Sequence, residues 1–324
     1  MERPRVSRPT VTEVRCKSAL NKVRGMGFTW SLNPYRGCVH HCGYCYARTT
    51  HAFMGLDVGL DFAAQLFAKT NVVEVLRREL ARKSWRREMV AIGTSTDPYQ
   101  PLEGTYRLTR GCLETLAEAG TPANCTTKGP LVVRDADVLQ SLARGPGAGV
   151  TMSLITLDDE VWRRLEPGTA PPAQRLRAVR TLAAAGVPVG IALAPVLPGI
   201  TDSQAALESV VRAAAENGAS WLWAGALHME PAVRDYFLSS LAGHFPEAMA
   251  PYVRHYGPPG GPERGRYAPK LFVDALQRRV AELKDRYRLS EWRRPAPSAT
   301  DAPVPPDAAA SAAGASSTQL ALPL

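Results

Sequence analysis

Asn33-Pro-Tyr-Arg-Gly-Cys38-Val-His-His-Cys42-Gly-Tyr-Cys45-Tyr-Ala-Arg48 places three cysteines within eight residues, in a C-x3-C-x2-C spacing. Thiolates this close wrap a compact, soft metal centre. An iron–sulfur cubane held by three protein thiolates keeps one iron open. The amine and carboxylate at the methionine end of S-adenosylmethionine (SAM) can chelate that iron. Electron transfer from such a [4Fe–4S] cluster breaks the C–S bond and leaves a 5′-deoxyadenosyl radical, chemistry that belongs to the cofactor itself. The rival reading is structural zinc, with His40 or His41 as fourth ligand. Zinc sites usually pair two ligand couples across a longer loop, and no second couple follows here.

The remaining cysteines, Cys16, Cys112 and Cys125, lie far apart in the chain. A chain of 324 residues is neither small nor visibly secreted, so a disulfide scaffold is excluded and a reducing compartment is expected. The N-terminal residues lead into no apolar stretch. The longest mostly apolar run, 187–200, carries three prolines and is too short to span a membrane. Both observations predict a cytoplasmic protein.

Working outward from the cysteines, short β-branched strands alternate with amphipathic helices. The strand candidates are 29–33, 89–94, 123–127, 149–155, 187–196 and 220–227. The helical candidates between them are 71–83, 109–119, 136–143, 172–185 and 203–216. Leu207, Val210, Val211 and Ala214 mark one helix face, and Pro172 and Gly186 supply start and stop signals. A last helix, 268–287, carries Phe272, Leu276, Val280 and Leu283 on one side. Six successive βα units predict an α/β fold with a parallel sheet, either open and doubly wound or curved into a partial barrel. In both, chemistry sits at the C-terminal ends of the strands.

The formal net charge of +9 is uneven: residues 1–30 carry +5, residues 251–294 carry +6, and the span between them is neutral. Basic flanks around a neutral core fit contacts to nucleic-acid phosphates, and equally a solubilising surface. From Pro295 the chain is rich in Ala and Pro and reads as a disordered tail. The expected organisation is a basic N-terminal extension (1–27), a catalytic core (28–255), a basic C-terminal helical segment (256–294) and the tail (295–324).

The cysteine stretch resembles the motif of the radical SAM superfamily. The wider pattern resembles its spore photoproduct lyase-like (DNA repair photolyase-like) branch, over roughly residues 28–255. That likeness rests on Asn33–Cys38, Cys45–Arg48, Gly93-Thr-Ser-Thr-Asp-Pro-Tyr-Gln-Pro101, Thr126-Thr-Lys128, Val133-Arg-Asp135, Ser153-Leu-Ile-Thr156, Leu165-Glu-Pro167 and Ala194-Pro-Val-Leu-Pro-Gly-Ile-Thr-Asp202. It implies a partial (β/α)6 TIM-like barrel with a C-terminal helix, and cluster and SAM inside the C-terminal mouth. It implies Cys38, Cys42 and Cys45 as cluster ligands. It places Tyr44 against the SAM adenine, the loop carrying Thr96 near the methionyl end, and Lys128 and Ser153 as polar SAM contacts. Tyr46 matches a tyrosine thought to relay a radical in the lyase. An electron donor of the flavodoxin or ferredoxin type is implied as well.

One departure matters. The lyase has a hydrogen-donating cysteine in the loop after the second strand, where this chain reads Thr94-Ser95-Thr96. A hydroxyl is a poor hydrogen-atom donor, so the same thymine-dimer reversal is not expected. Cys125, ending the third strand, lies either near the mouth or in the core as a small buried residue.

The expected function is a radical SAM enzyme acting on a nucleic-acid base in DNA repair. The alternatives are a metal-stabilised nucleic-acid-binding protein without catalysis, and a radical enzyme on a peptide or small molecule. Gln319-Leu-Ala-Leu-Pro-Leu324 resembles the peptide by which bacterial repair proteins dock on the replication sliding clamp: leucines for an apolar groove, a glutamine to fix register.

Overall fold

In a computed structural model, residues 9–291 are described. The tail and its hexapeptide Gln319–Leu324 lie outside them. Among the described residues ten strands occur: β1 (Thr10–Val14), β2 (Leu20–Lys22), β3 (Trp30–Leu32), β4 (Tyr35–Arg36), β5 (Gln65–Lys69), β6 (Val90–Ile92), β7 (Ala123–Thr127), β8 (Ala148–Ser153), β9 (Val189–Val196) and β10 (Trp221–Ala226). The main sheet runs β10-β9-β8-β7-β6-β3-β2. Six of its strands are parallel and stand in chain order, and β2 closes one edge antiparallel to β3.

This order decides between the two expected architectures. A doubly wound sheet reverses its strand order at a switch point and carries helices on both faces. Here the order never reverses, so successive right-handed crossovers deposit the helices on one side. The outward face is apolar: Leu32, Val90, Ile92, Cys125, Val150, Met152, Val189, Ile191 and Leu222 pack with Leu76, Leu113, Leu139, Val179, Leu207 and Leu276 of the helices. The opposite face carries Asn33, Gly93, Asn124, Thr126, Thr151, Ser153, Gly190 and Ala192, residues alternating with the first set. The result is a partial α/β barrel with a polar lumen.

The six barrel strands and the helices 72–80, 108–118, 136–144, 172–184, 204–216 and 270–287 fall where the periodicity predicts them, within a few residues. The sequence reading omits a second, three-stranded sheet, β1-β5-β4. It contributes to the support of the cysteine loop, and it draws β1 from the basic N-terminal segment. The helices Pro231–His244 and Met249–Tyr256 are also new. With Leu165, Leu197 and Leu227 they form a second apolar cluster that includes Cys42 and Tyr44. Among the described residues no helix is long and apolar enough to cross a membrane.

Candidate active site

The cysteine loop leaves β4 through Gly37, whose φ of 73° favours glycine; a Cβ there would sit 2.8 Å from the Gln65 carbonyl oxygen. The loop is tied down from three sides. Cys38 N–H donates to Phe62 O at 2.9 Å. Gly43 N–H donates to Leu165 O and Gly168 N–H to His40 O, at 3.0 and 3.1 Å. The approach at Gly168 is so close that a Cβ would fall 2.1 Å from Val39 O. Arg48, fully buried, donates through Nε to Cys42 O (2.9 Å) and through Nη1 to Val58 O and Gly59 O (2.7 and 2.6 Å). Its guanidinium lies 4.5 Å from the Tyr236 ring centroid.

The loop after β6 supplies the third side. Thr96 Oγ1 donates to Gly37 O (2.6 Å), and Gln100 Nε2 donates to the same carbonyl and to Thr96 Oγ1. Asp97 accepts from Thr127 Oγ1 (2.6 Å) and Lys128 N–H (2.7 Å), and lies 3.2 Å from His40 Nδ1. Asp97 thus ties the cysteine loop to the end of β7. Thr96, expected at the cofactor, is engaged in supporting this loop. Its neighbour Thr94 takes Asn33 Nδ2 at 3.0 Å, and Tyr46, about half exposed, donates its hydroxyl to Thr94 O.

Lys128 and Ser153, at the ends of adjacent strands, do come together: Nζ lies 2.5 Å from Oγ. The partners of Lys128 include a residue that site prediction from sequence leaves out. Glu166 Oε1 is 3.3 Å from Lys128 Nζ and also accepts from the Tyr44 hydroxyl. Its other oxygen meets Arg175 Nη2 at 2.6 Å. Burial alone would raise the Glu166 carboxyl, but Arg175 and Lys128 hold it down at about 2. Burial opposes the charge on Lys128, and Glu166 more than restores it, so its pKa rises. A charged Glu166–Arg175–Lys128 triad therefore stands beside the cysteines, with Tyr44 and Ser153 on its hydrogen bonds. A sequence signal for Arg175 existed. It shares a helix stripe with Ala178, Val179 and Leu182, all buried, and a cation on an apolar stripe needs a buried partner.

The three thiols fit a cluster. Cys38 and Cys42 are buried, Cys45 is half-buried, and each thiolate bears on the others. Burial pushes Cys42 and Cys45 up, so thiolates here require positive charge, which iron supplies. The histidines are otherwise occupied. His40 stands between Asp97 and Cys38, and His41 Nε2 pairs with the Tyr236 hydroxyl at 3.0 Å. Among the described residues, no three His, Cys, Asp or Glu side chains converge on a single-ion site. Cys125 is fully buried and faces the helices, away from the lumen.

A fold with a polar lumen, a three-cysteine loop at its mouth and charged strand ends defines an α/β-barrel metalloenzyme. The chain belongs to the radical SAM superfamily, whose family model matches residues 32–209. Members use a [4Fe–4S] cluster and SAM, and the protein is a radical SAM enzyme. An uncharacterised protein of Mycobacterium tuberculosis is 42% identical over 300 residues, covering 92% of this chain and 86% of its own. A Pseudomonas phage M6 protein named radical SAM Nalpha-GlyT isomerase is 28% identical over 169 residues, covering 52% of this chain and 33% of its own. Among solved structures, spore photoproduct lyase complexed with dinucleoside spore photoproduct superposes with a TM-score of 0.65 at 13% identity, covering 86% of this chain and 79% of that one. That likeness establishes the fold.

Proposed function

We propose that this enzyme turns its SAM-derived radical on a nucleic-acid base, in repair or modification of DNA. Cys38, Cys42 and Cys45 would ligate the cluster. Tyr44, Lys128 and Ser153 would line the SAM side of the lumen, with Glu166 and Arg175 holding them in place. Cluster and SAM supply the 5′-deoxyadenosyl radical. The chain's own residues fix the loop, exclude water beneath it and keep the Lys128 cation facing the lumen. Tyr46, at the mouth, is the candidate radical relay. A reducing cytoplasm suits this centre.

One observation carries the nucleic-acid reading. The basic C-terminal segment returns to the barrel mouth: Met229 N–H donates to Arg266 O at 2.8 Å, and His228 forms a β-bridge with Tyr267, just beyond the end of β10. Exposed Arg264 and Arg266 therefore stand at the rim, Arg266 paired with Glu263 at 3.3 Å, where a phosphate can compete for the guanidinium. The known lyase holds a dinucleoside on this same fold. The Thr94–Thr96 loop has no cysteine, so photoproduct reversal by the lyase's route is not part of this proposal.

The test is anaerobic incubation of reconstituted enzyme with SAM, reductant and either damaged or undamaged DNA, tracing 5′-deoxyadenosine and the DNA bases by mass spectrometry. DNA-dependent change in a base, or deuterium transfer between base and deoxyadenosine, supports the reading. 5′-Deoxyadenosine formed without any DNA product, together with DNA binding that ignores salt, favours a peptide or small-molecule substrate.

A further inference from the structure

The lumen holds two tryptophans, both on β10. Strand alternation puts Trp221 and Trp223 on the same face as Gly190, Ala192, Thr151 and Ser153, the lumen side. Trp221 is buried and fills the floor: a Cβ on Gly190 would lie 2.3 Å from its ring, and one on Gly149 3.2 Å. Trp223 is different. It is 41% exposed, although it sits in the middle of a barrel strand.

The register explains why its face is open. Trp223 pairs with Ala192, Ala192 with Ser153, and Ser153 meets Lys128. These four form one row across β10, β9 and β8 to the residue just past the end of β7. Alanine is the only side chain between the indole and the polar end of the row. Strands are spaced about 4.8 Å apart, so Trp223 stands roughly 10 Å from Ser153. Above it comes Gly225, where a Cβ would already sit 3.2 Å from the indole ring. Glycine there keeps the ring uncovered.

A second aromatic surface lies at the rim, past the end of the same strand. Tyr267 is 71% exposed and stacks on His228 with ring centroids 4.5 Å apart and planes 17° from parallel. His228 covers one face of the tyrosine and leaves the other to solvent. Arg266 and Arg264 flank it. Large aromatic faces left open beside cations are the elements by which proteins hold unpaired nucleobases: stacking for the base, charge for the backbone.

We propose that Trp223 and Tyr267 form a two-step stacking surface for single-stranded or flipped-out nucleotides. One base lies on Trp223 inside the lumen, in the row of Lys128 and Ser153, and its neighbour lies on Tyr267 at the rim. Arg264 and Arg266 take the phosphate between or beside them. This rests on the nucleic-acid reading above and names the part of the substrate that is recognised: planar bases, extruded from a duplex. These are positioning residues, with no part assigned to them in the radical chemistry.

The test measures binding of full-length protein to fluorescein-labelled single-stranded and duplex oligonucleotides by anisotropy. It also follows intrinsic tryptophan emission, which stacking of a base on an indole quenches. Wild-type protein is expected to bind the single strand more tightly than the duplex and to show quenching. W223A and Y267A are expected to lose at least about fivefold in affinity each, the lower end of what one base–aromatic stack contributes. W223F, which keeps a ring and folds conservatively, retains most affinity but loses most of the quenching. G225V, which caps the indole face, behaves like W223A in binding. Circular dichroism checks that each variant is folded, and W223F with G225V suffice if W223A is not. If wild-type protein binds single strands while W223A, Y267A and G225V all bind within twofold of it, the stacking surface is overturned and the nucleic-acid reading stands. If wild-type protein binds no oligonucleotide at low salt, the nucleic-acid reading itself fails and takes the stacking surface with it.

Discussion

Arg175 and Glu166 meet at 2.6 Å with both side chains out of solvent, 0% and 1% exposed. Buried pairs of this kind contribute little net stability, yet removing one partner strands the other. Here the stranded charge would be multiplied, because Lys128 leans on the same carboxylate. Glu166→Ala leaves the buried Arg175 and the partly buried Lys128 without their shared carboxylate, and Arg175→Met leaves one carboxylate with half its compensation. We expect a loss of about 3–5 kcal/mol for Glu166→Ala in urea unfolding, with Glu166→Gln milder. Weaker SAM binding should accompany it, since Tyr44, Lys128 and Ser153 all depend on this group for their positions. A loss below about 1 kcal/mol would mean that water reaches the triad and that the three charges are not dry.

Alanine at Cys38, Cys42 or Cys45 should each abolish both the cluster and reductive SAM cleavage. Cys125→Ala, on the helix side of β7, should retain full iron content and the cleavage rate, and cost about 1 kcal/mol of stability. Iron assay and 5′-deoxyadenosine formation measure both. Retained iron in any two of the three loop variants would refute the ligand assignment.

Asp97 joins Thr127, Lys128 and His40, and therefore fastens the cysteine loop to β7. Asp97→Ala unpairs several buried donors at once and should destabilise the protein by about 2 kcal/mol or more. The cluster should bleach faster in air or chelator than in the wild type. Unchanged bleaching with reduced stability would confine Asp97 to a folding role.

Lys69, at the end of β5, is held down at about 8, by burial first and by Arg36 second. Below pH 8 its amine is charged in both folded and unfolded chains, and the folded state bears the full burial cost. As the pH rises from about 8 towards 10.5, the folded chain has shed the proton while the unfolded chain still holds it, so this group's cost is relieved. Lys69→Met should therefore stabilise the protein by roughly 2–3 kcal/mol at pH 7, and the advantage should shrink steadily between pH 8 and 9.5. A pH-independent difference between the two proteins would contradict a buried, titrating Lys69.

If Gln319–Leu324 is the docking peptide it resembles, the full-length protein should co-purify with the replication sliding clamp, and deleting 319–324 should abolish this and leave SAM cleavage untouched; no co-purification of the full-length protein would refute the clamp reading. Clamp binding that survives the deletion would locate that partner elsewhere on the chain.

The cysteine loop, the βα alternation and the basic rim segment were legible from local pattern. Spacing of thiols, capping residues and helical periodicity are short-range signals that the chain carries whatever its final packing. The sides of the strands were not legible. The strands do alternate apolar residues with polar or small ones, but which surface each set meets is fixed only once the helices and the lumen are in place. Only the in-order sheet register decided that Cys125 turns to the helices while Ser153 and Trp223 turn to the lumen. Distance in sequence hid the rest. Glu166 and Arg175 come to Tyr44 and Lys128 from 122 and 47 residues away, and their pairing exists only because the crossovers bring those segments over the same strand ends. The three cysteines announced the chemistry by themselves; the charged triad beside the cysteine loop, and the open indole on the lumen side, are products of tertiary folding, because a buried charge and an uncovered ring acquire meaning only from what surrounds them.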